Sequence, residues 1–548
     1  MRERPGLTHC RVSDGSRWQI CISFKSVPHG PLIPFGNANH LSAPLPRTEP
    51  LANDSQFGQH DRPVQWLRSG CRGAVPLDGV LASWMVDVLC QPSIHQWVEQ
   101  FESPLNVLCE APLEANVRAL AAVAGDRNLD LQIHFARKAN KCLRWIDVAK
   151  RLGIAIDVAS GIELQQTLER GIEPAKIICT AAVKPVALLQ QCVDHGVTIV
   201  IDNTDELLAI QSVASRSAHA AKIAIRMSGF QHRGQKLSSR FGIDVDDFAS
   251  VVGSGFGLLA DPSLAVVGLH FHLDGSSIAQ RVTAIEQVLP WVDELNRRGQ
   301  QIKFIDMGGG IPVRYLQSQD QWTVFHQEHE RSLLGLREAI TLDRHGLGRI
   351  AGGGNVFGKL NSYPMYQAPV SADWFSQLLD HQLDPIIAAE SSVADAIRRR
   401  GLQLRCEPGR SLLDGCGMTV ARVEFCKKHP SGYALIGLSM NRTQCRTTDD
   451  EFLVDPILLT CAGVRSTSRL QSVDGFFVGA YCTESEYLSL RRFHFPHGVA
   501  RGDLIVFPNT AGYQMHFMES RSHQFPLAKN VFLQQPALDQ ASLDPIDR

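Results

Sequence analysis

The stretch Leu402-Gln403-Leu404-Arg405-Cys406-Glu407-Pro408-Gly409-Arg410 decides how the rest of the chain is read. A short strand-like segment, Leu402 to Cys406, runs directly into an acid, a turn-forming Pro-Gly and an arginine. Arg410 offers a planar fork of donors suited to a phosphate. Glu407 offers a carboxylate able to neutralise a protonated ring nitrogen. Alone, the same residues also fit an ordinary strand end with a surface ion pair, so their meaning depends on what precedes them.

What precedes them is a regular beat. Strand-like Leu131 to Ala136, Ala155 to Val158, Lys176 to Cys179, Val197 to Ile201, Lys222 to Arg226, Ala265 to His272 and Lys303 to Met307 come before the strand at Leu402. Helix-like stretches such as Leu143 to Leu152, Glu206 to Ala214 and Ala279 to Asn296 separate nearly all of them. Alternation of this kind implies parallel pairing through right-handed crossovers. Eight such units close a (β/α)8 TIM-type barrel, with a doubly wound open sheet as the competing fold. Past Arg410 the rhythm changes to strand candidates without helices between them, at Val420–Lys427, Tyr433–Leu438, Gly475–Ala480, Asp503–Phe507 and Val531–Leu533. That pattern predicts a C-terminal β-rich domain.

The boundaries expected are a variable or disordered extension over 1–74 and a lead-in segment over 75–110 that joins the β domain. The barrel follows over 111–415, the β domain over 416–533 and a frayed tail over 534–548. The connection at about 312–401 is far longer than one helix and reads as an insertion shaping the active-site mouth. The glycine cluster Gly253-Ser254-Gly255-Phe256-Gly257 reads as a loop.

Composition excludes several classes. Lys plus Arg number 54 against 56 Asp plus Glu, a net charge of −2, so no global field points to nucleic acid or an anionic membrane. No apolar run approaches the roughly 20 residues of a membrane helix, and no signal-peptide core follows Met1. The 14 cysteines contain no Cys-x-x-Cys pair and read as reduced, mostly buried thiols of a cytoplasmic protein. No metal is expected.

In a barrel the chemistry collects at the C-terminal ends of the strands. There stand Lys138 after the first strand, Asp157 in the second, His272 at the sixth, Gly308-Gly309-Gly310 after the seventh, and Glu407 and Arg410 after the eighth. As a set they suit pyridoxal 5′-phosphate (PLP). Glycines let backbone N–H groups approach a phosphate, and Arg410 adds charge-assisted bonds. Lys138, in an apolar setting, is expected to have a lowered pKa and to form a Schiff base. Glu407 would keep the pyridine nitrogen protonated, and His272 would stack on the ring.

The motifs Phe135-Ala136-x-Lys138-Ala139-Asn140, Asp157-x-Ala159-Ser160, Gly308-Gly309-Gly310 and Glu407-Pro408-Gly409-Arg410 resemble those of the fold-type III PLP-dependent decarboxylases, the family of diaminopimelate, ornithine and biosynthetic arginine decarboxylases. Gly479-Ala480-Tyr481-Cys482 and Gly502-Asp503-Leu504 running to Ala511-Gly512-Tyr513 extend the resemblance over roughly 100–530. It implies an alanine-racemase-like barrel, Lys138 as the aldimine lysine, and catalytic roles for Lys138, Glu407 and Cys482. Asp157, His272, Ser276, Gly309, Gly310, Glu407, Arg410 and Tyr513 would contact the cofactor. Cys482 would protonate Cα after CO2 leaves, reaching the site from the partner of a homodimer with shared active sites. Glu484 and Tyr513 would contact an amino-acid substrate, basic or diamino or a derivative of one.

Three departures bear on the substrate. His272-Leu273-Asp274-Gly275-Ser276 either inserts a residue into the family's His-x-Gly-Ser stretch or replaces its glycine with Asp274. Thr483 stands where an acid usually follows the cysteine, and the 312–401 connection is long. The alternatives are an amino-acid racemase on the same fold, which Glu407 and Cys482 disfavour, a non-catalytic regulatory homologue, and a barrel isomerase for a phosphorylated sugar.

Overall fold

The structure is a computed structural model, described for residues 61–253, 261–385, 391–446, 452–461, 469–534 and 537–548. Eight parallel strands form a barrel: β1 (Leu131–Ala136), β2 (Ala155–Val158), β3 (Ile177–Cys179), β4 (Thr198–Ile201), β5 (Ala221–Ser228), β6 (Leu264–Phe271), β7 (Phe304–Asp306) and β8 (Gln403–Cys406). The two joins that close it are β8 to β1, with Cys406 opposite Ile133, and β4 to β5, with Ile199 opposite Ile223. The strands are apolar on both faces, as buried parallel strands must be. One face meets the surrounding helices in the large core. The other fills the barrel interior with Ile178, Val200, Ala224 and Phe304. Gly268 on β6 makes that filling possible, since a Cβ there would lie 2.3 Å from the Phe304 ring.

The second layer is a ten-stranded sheet built mostly after Arg410. Its long strand Gly417–Lys428 pairs with Leu105–Leu108 from before the barrel and with Leu504–Phe507 from after it. The barrel is therefore inserted into a β-rich region that both ends of the chain help to build.

Three boundaries differ from expectation. Residues 61–74 belong to the fold: Asp61–Arg68 is a helix, Arg72 and Gly73 pair with His494 and Phe493, and Cys71 is buried. A buried ion pair, Arg491 Nη1 to Asp455 Oδ1 at 2.7 Å, pins this segment. Arg491 also donates to the Val75 carbonyl, and the Gly73 N–H donates to Asp455. Only 1–60 of the expected extension lie outside the described residues. The tail also folds back. Ala541–Leu543 pairs with Val531–Leu533, and the Asp544 carboxylate accepts the N–H groups of Leu143 and Arg144 at 3.0 Å each. An anion at the start of helix Arg144–Leu152 satisfies donors that the helix itself leaves open.

The third difference lies in 312–401. Helix Ser371–Asp380 packs on helices Ala111–Gly125 and Ile278–Arg297, so it is part of the barrel's own outer ring. The added material is the part before it, with helix Gln319–Leu333 and a hairpin pairing Ile350–Gly352 with Asn355–Phe357. Its Val313, Tyr315, Phe325 and Met365 share a core with Val423 and Phe477 of the β-rich region. Residues 254–260, which contain most of the glycine cluster read as a loop, lie outside the described residues. Among the described residues no helix is long and apolar enough to cross a membrane.

Candidate active site

The C-terminal strand ends open into a cavity of about 820 Å³. It is lined by Lys138, His272, Ser276, Gly309, Gly310, Glu407, Arg410 and Tyr513, and by Trp322, His326, Tyr363 and Gln367 of the added segment.

Lys138 sits in the single 3₁₀ turn Arg137–Ala139 that ends β1. Its Nζ donates to Asp157 Oδ2 at 3.1 Å, and Thr180 Oγ1 donates to the other oxygen, Oδ1, at 2.5 Å. Burial pulls the Lys138 ammonium toward the neutral form, yet Asp157 and then Glu407 outweigh it and hold the pKa above the ordinary lysine value. The expected apolar setting and lowered pKa are therefore corrected. The reason is geometric: β1, β2 and β8 are neighbours in the barrel, so the acids ending β2 and β8 both face the amine.

Glu407 is buried at the end of β8, where its N–H donates to the Gly308 carbonyl. Its Oε1 lies 3.1 Å from His270 Nε2. Burial, reinforced by Arg226, pushes the His270 pKa well down, while burial pushes that of Glu407 up. His270 and His272 sit two apart at the end of β6, on the same side of the strand. Burial and Lys138 keep His272 neutral, and its Nδ1 accepts the Gly309 N–H at 3.0 Å. Asp306, ending β7, accepts the Gly308 N–H, while burial and the nearby Glu407 push its own pKa well up.

Arg410 is the cation of the opposite character: no carboxylate pairs with it among the described residues. Its Nη1 donates to Tyr315 Oη at 2.8 Å, and its guanidinium lies 4.2 Å from the Tyr363 ring centre and 5.1 Å from that of Tyr513. Burial pulls its pKa down, but the phenols of Tyr315 and Tyr363 more than offset this. Gly308 and Gly310 adopt φ of 66° and 87°, a region that favours glycine. Ser276 lines the cavity with its hydroxyl donated to Gln367 Oε1 at 2.8 Å.

Lys138, Asp157, His272, Ser276, Gly309, Gly310, Glu407, Arg410 and Tyr513 thus come together. Cys482 and Glu484 do not join them within one chain. Both are exposed on the loop after strand Val473–Val478, outside the cavity lining. Sequence reading missed His270, Tyr315 and Tyr363. The i, i+2 relation to His272 was a usable signal for the first, whereas the tyrosines reach Arg410 only through the fold.

A cavity that pairs carboxylates beside a lysine with an uncompensated arginine and a glycine turn fits a ring with a basic nitrogen, an aldehyde and a phosphate. The comparisons agree. Residues 113–341 match the pyridoxal-binding domain of the pyridoxal-dependent decarboxylases. A Sinorhizobium fredii protein described as uncharacterized protein y4yA is 29% identical over 473 residues, 86% of this chain and 96% of its own. Diaminopimelate decarboxylase of Pseudomonas aeruginosa is 26% identical over 363 residues, 64% of this chain and 70% of its own. The crystal structure of Vibrio vulnificus lysine/ornithine decarboxylase complexed with putrescine superposes with a TM-score of 0.57 at 17% identity, covering 83% of this chain and 99% of that one, a likeness of fold. With the barrel, the cavity and this match together, the chain is similar to the fold-type III pyridoxal-dependent decarboxylases.

Proposed function

We propose that this protein decarboxylates an amino acid, basic or diamino or a derivative of one, with PLP bound in the 820 Å³ cavity. The observation that carries the reading is Lys138 set between Asp157 and Glu407 in the same cavity as Arg410 and the glycine turn. When bound, PLP supplies an electron-accepting ring for the electron pair left as CO2 departs. Lys138 is the amine that holds the cofactor's aldehyde carbon, and Asp157 orients it. Glu407, anchored by His270, holds a proton at the ring nitrogen. His272 presents a neutral ring to stack against. Arg410, the Gly309-Gly310 turn, Ser276 and Tyr513 hold the phosphate.

Cys482 delivers the proton to Cα, and Glu484 meets the substrate, both from a second copy of the chain. Their exposure outside the cavity of their own chain supports that arrangement. The substrates named for the Pseudomonas aeruginosa and Vibrio vulnificus proteins, diaminopimelate, lysine and ornithine, set the range to screen.

The test is reconstitution with PLP. A visible absorbance band is expected for the unaltered protein and none for Lys138→Ala. CO2 release should then be measured over lysine, ornithine, arginine, diaminopimelate and 2,3-diaminopropionate derivatives. Loss of optical activity without CO2 release would make the protein a racemase instead.

A further inference from the structure

Arg281 lies in the first turn of helix Ile278–Arg297, directly behind the cavity wall, and is wholly buried. Its Nη2 donates to the carbonyls of Gly275 at 2.9 Å and Gly309 at 3.0 Å. Its Nε and Nη1 find no acceptor among the described residues. Among the described residues no carboxylate pairs with it, and burial pulls its pKa down to about 10. Trp374 closes the other side, with its ring centre 5.1 Å from the guanidinium and its Nε1–H donated to the Ser276 carbonyl. A buried cation without a counter-ion is costly to keep. One that survives next to a binding cavity points to an anion supplied by the ligand.

The two carbonyl bonds add a direction. In a trans peptide the N–H points away from the C=O. Drawing the Gly275 and Gly309 oxygens toward Arg281 therefore turns the N–H groups of Ser276 and Gly310 away from it. Both residues line the cavity, and neither N–H finds an acceptor among the described residues. The start of the helix, capped by Ser277, adds its partial positive charge on the same side.

We propose that Arg281 is a second cationic anchor for the cofactor phosphate, a positioning residue that acts through the Gly275–Ser276 and Gly309–Gly310 peptides. This rests on the PLP reading above and deepens it: the phosphate dianion lies between Arg410, which touches it, and Arg281, which aims two peptide N–H groups at it from behind. An arginine in this place serves the ligand rather than the fold, so its removal has opposite effects on the two.

The experiment titrates apoprotein with PLP and, separately, with pyridoxal, which lacks the phosphate, for the unaltered chain, Arg281→Gln and Arg281→Lys. The melting temperature of each apoprotein is measured alongside. Arg281→Gln is expected to weaken PLP by about 10- to 100-fold, the range for one charge-assisted bond, and to leave pyridoxal unchanged. The Lys variant, which keeps the charge, should recover most of the loss, and the apo melting temperature should hold or rise for Gln. An unchanged ratio of PLP to pyridoxal affinity overturns the proposal. So does a Gln apoprotein that is destabilised or fails to fold, because Arg281 would then be serving the loop alone. If the unaltered protein binds no PLP, the cofactor reading itself falls, and that is seen before any variant is made.

Discussion

Lys138 shows how one side chain's chemistry is set by its neighbours. A lysine must be neutral to attack an aldehyde, yet Asp157 and Glu407 favour its charged form. Its pKa lies above the ordinary value, so the neutral fraction grows as pH rises, and cofactor loading should speed up with it. Removing one carboxylate lowers that pKa. Asp157→Asn is therefore expected to shift the pH profile of the loading rate toward lower pH by about 1–3 units, as followed by visible absorbance. Glu407→Gln keeps a group for His270 to bond but removes the charge that stabilises a protonated ring. At ~4 Å and an effective dielectric near 20 that interaction is about 4 kcal/mol before desolvation. Turnover should fall about 100- to 1,000-fold, while PLP still gives its absorbance band. Equal turnover for the two would remove Glu407 from its role.

At the scale of elements, the turn after β7 joins the two halves of the site. Its Gly309 N–H fixes His272, its Gly308 carbonyl fixes Glu407, and its Gly309 carbonyl meets Arg281. A Cβ on Gly310 would lie 1.9 Å from Arg281 Nη2 and 3.0 Å from the Gly275 carbonyl oxygen, at a φ of 87°. Gly310→Ala is therefore expected to cost about 1–3 kcal/mol in apoprotein stability and to weaken PLP, read by chemical denaturation and by titration. The added segment before helix Ser371–Asp380 is the other decisive element. It places Tyr315 and Tyr363 around Arg410, so that the cation is held in position without being neutralised.

Over the whole molecule, the β-rich region is made from both ends of the chain, and Asp455 ties them by accepting from Gly73 and pairing with Arg491. Asp455→Ala would leave Arg491 buried and unpaired, at a cost of about 3–5 kcal/mol, visible as a lowered melting temperature without loss of PLP per folded molecule. The proposed shared site gives a test of assembly. Lys138→Ala and Cys482→Ala should each be inactive, and dissociating and mixing them should restore about a quarter of the activity through dimers with one intact site. No recovery would place Cys482 outside the reaction. The sequence alone determined the barrel, because buried parallel strands separated by helices carry their pattern locally, and it determined the cofactor class, because five of the eight strand ends carry motifs of their own. It did not show that 61–74 and the tail are ordered, since their partners, such as His494 for Arg72 and the Leu143 and Arg144 N–H groups for Asp544, lie hundreds of residues away. Nor did it show the raised Lys138 pKa or the buried Arg281. Both follow from which strand ends and peptide carbonyls become neighbours, and only the closed barrel decides that.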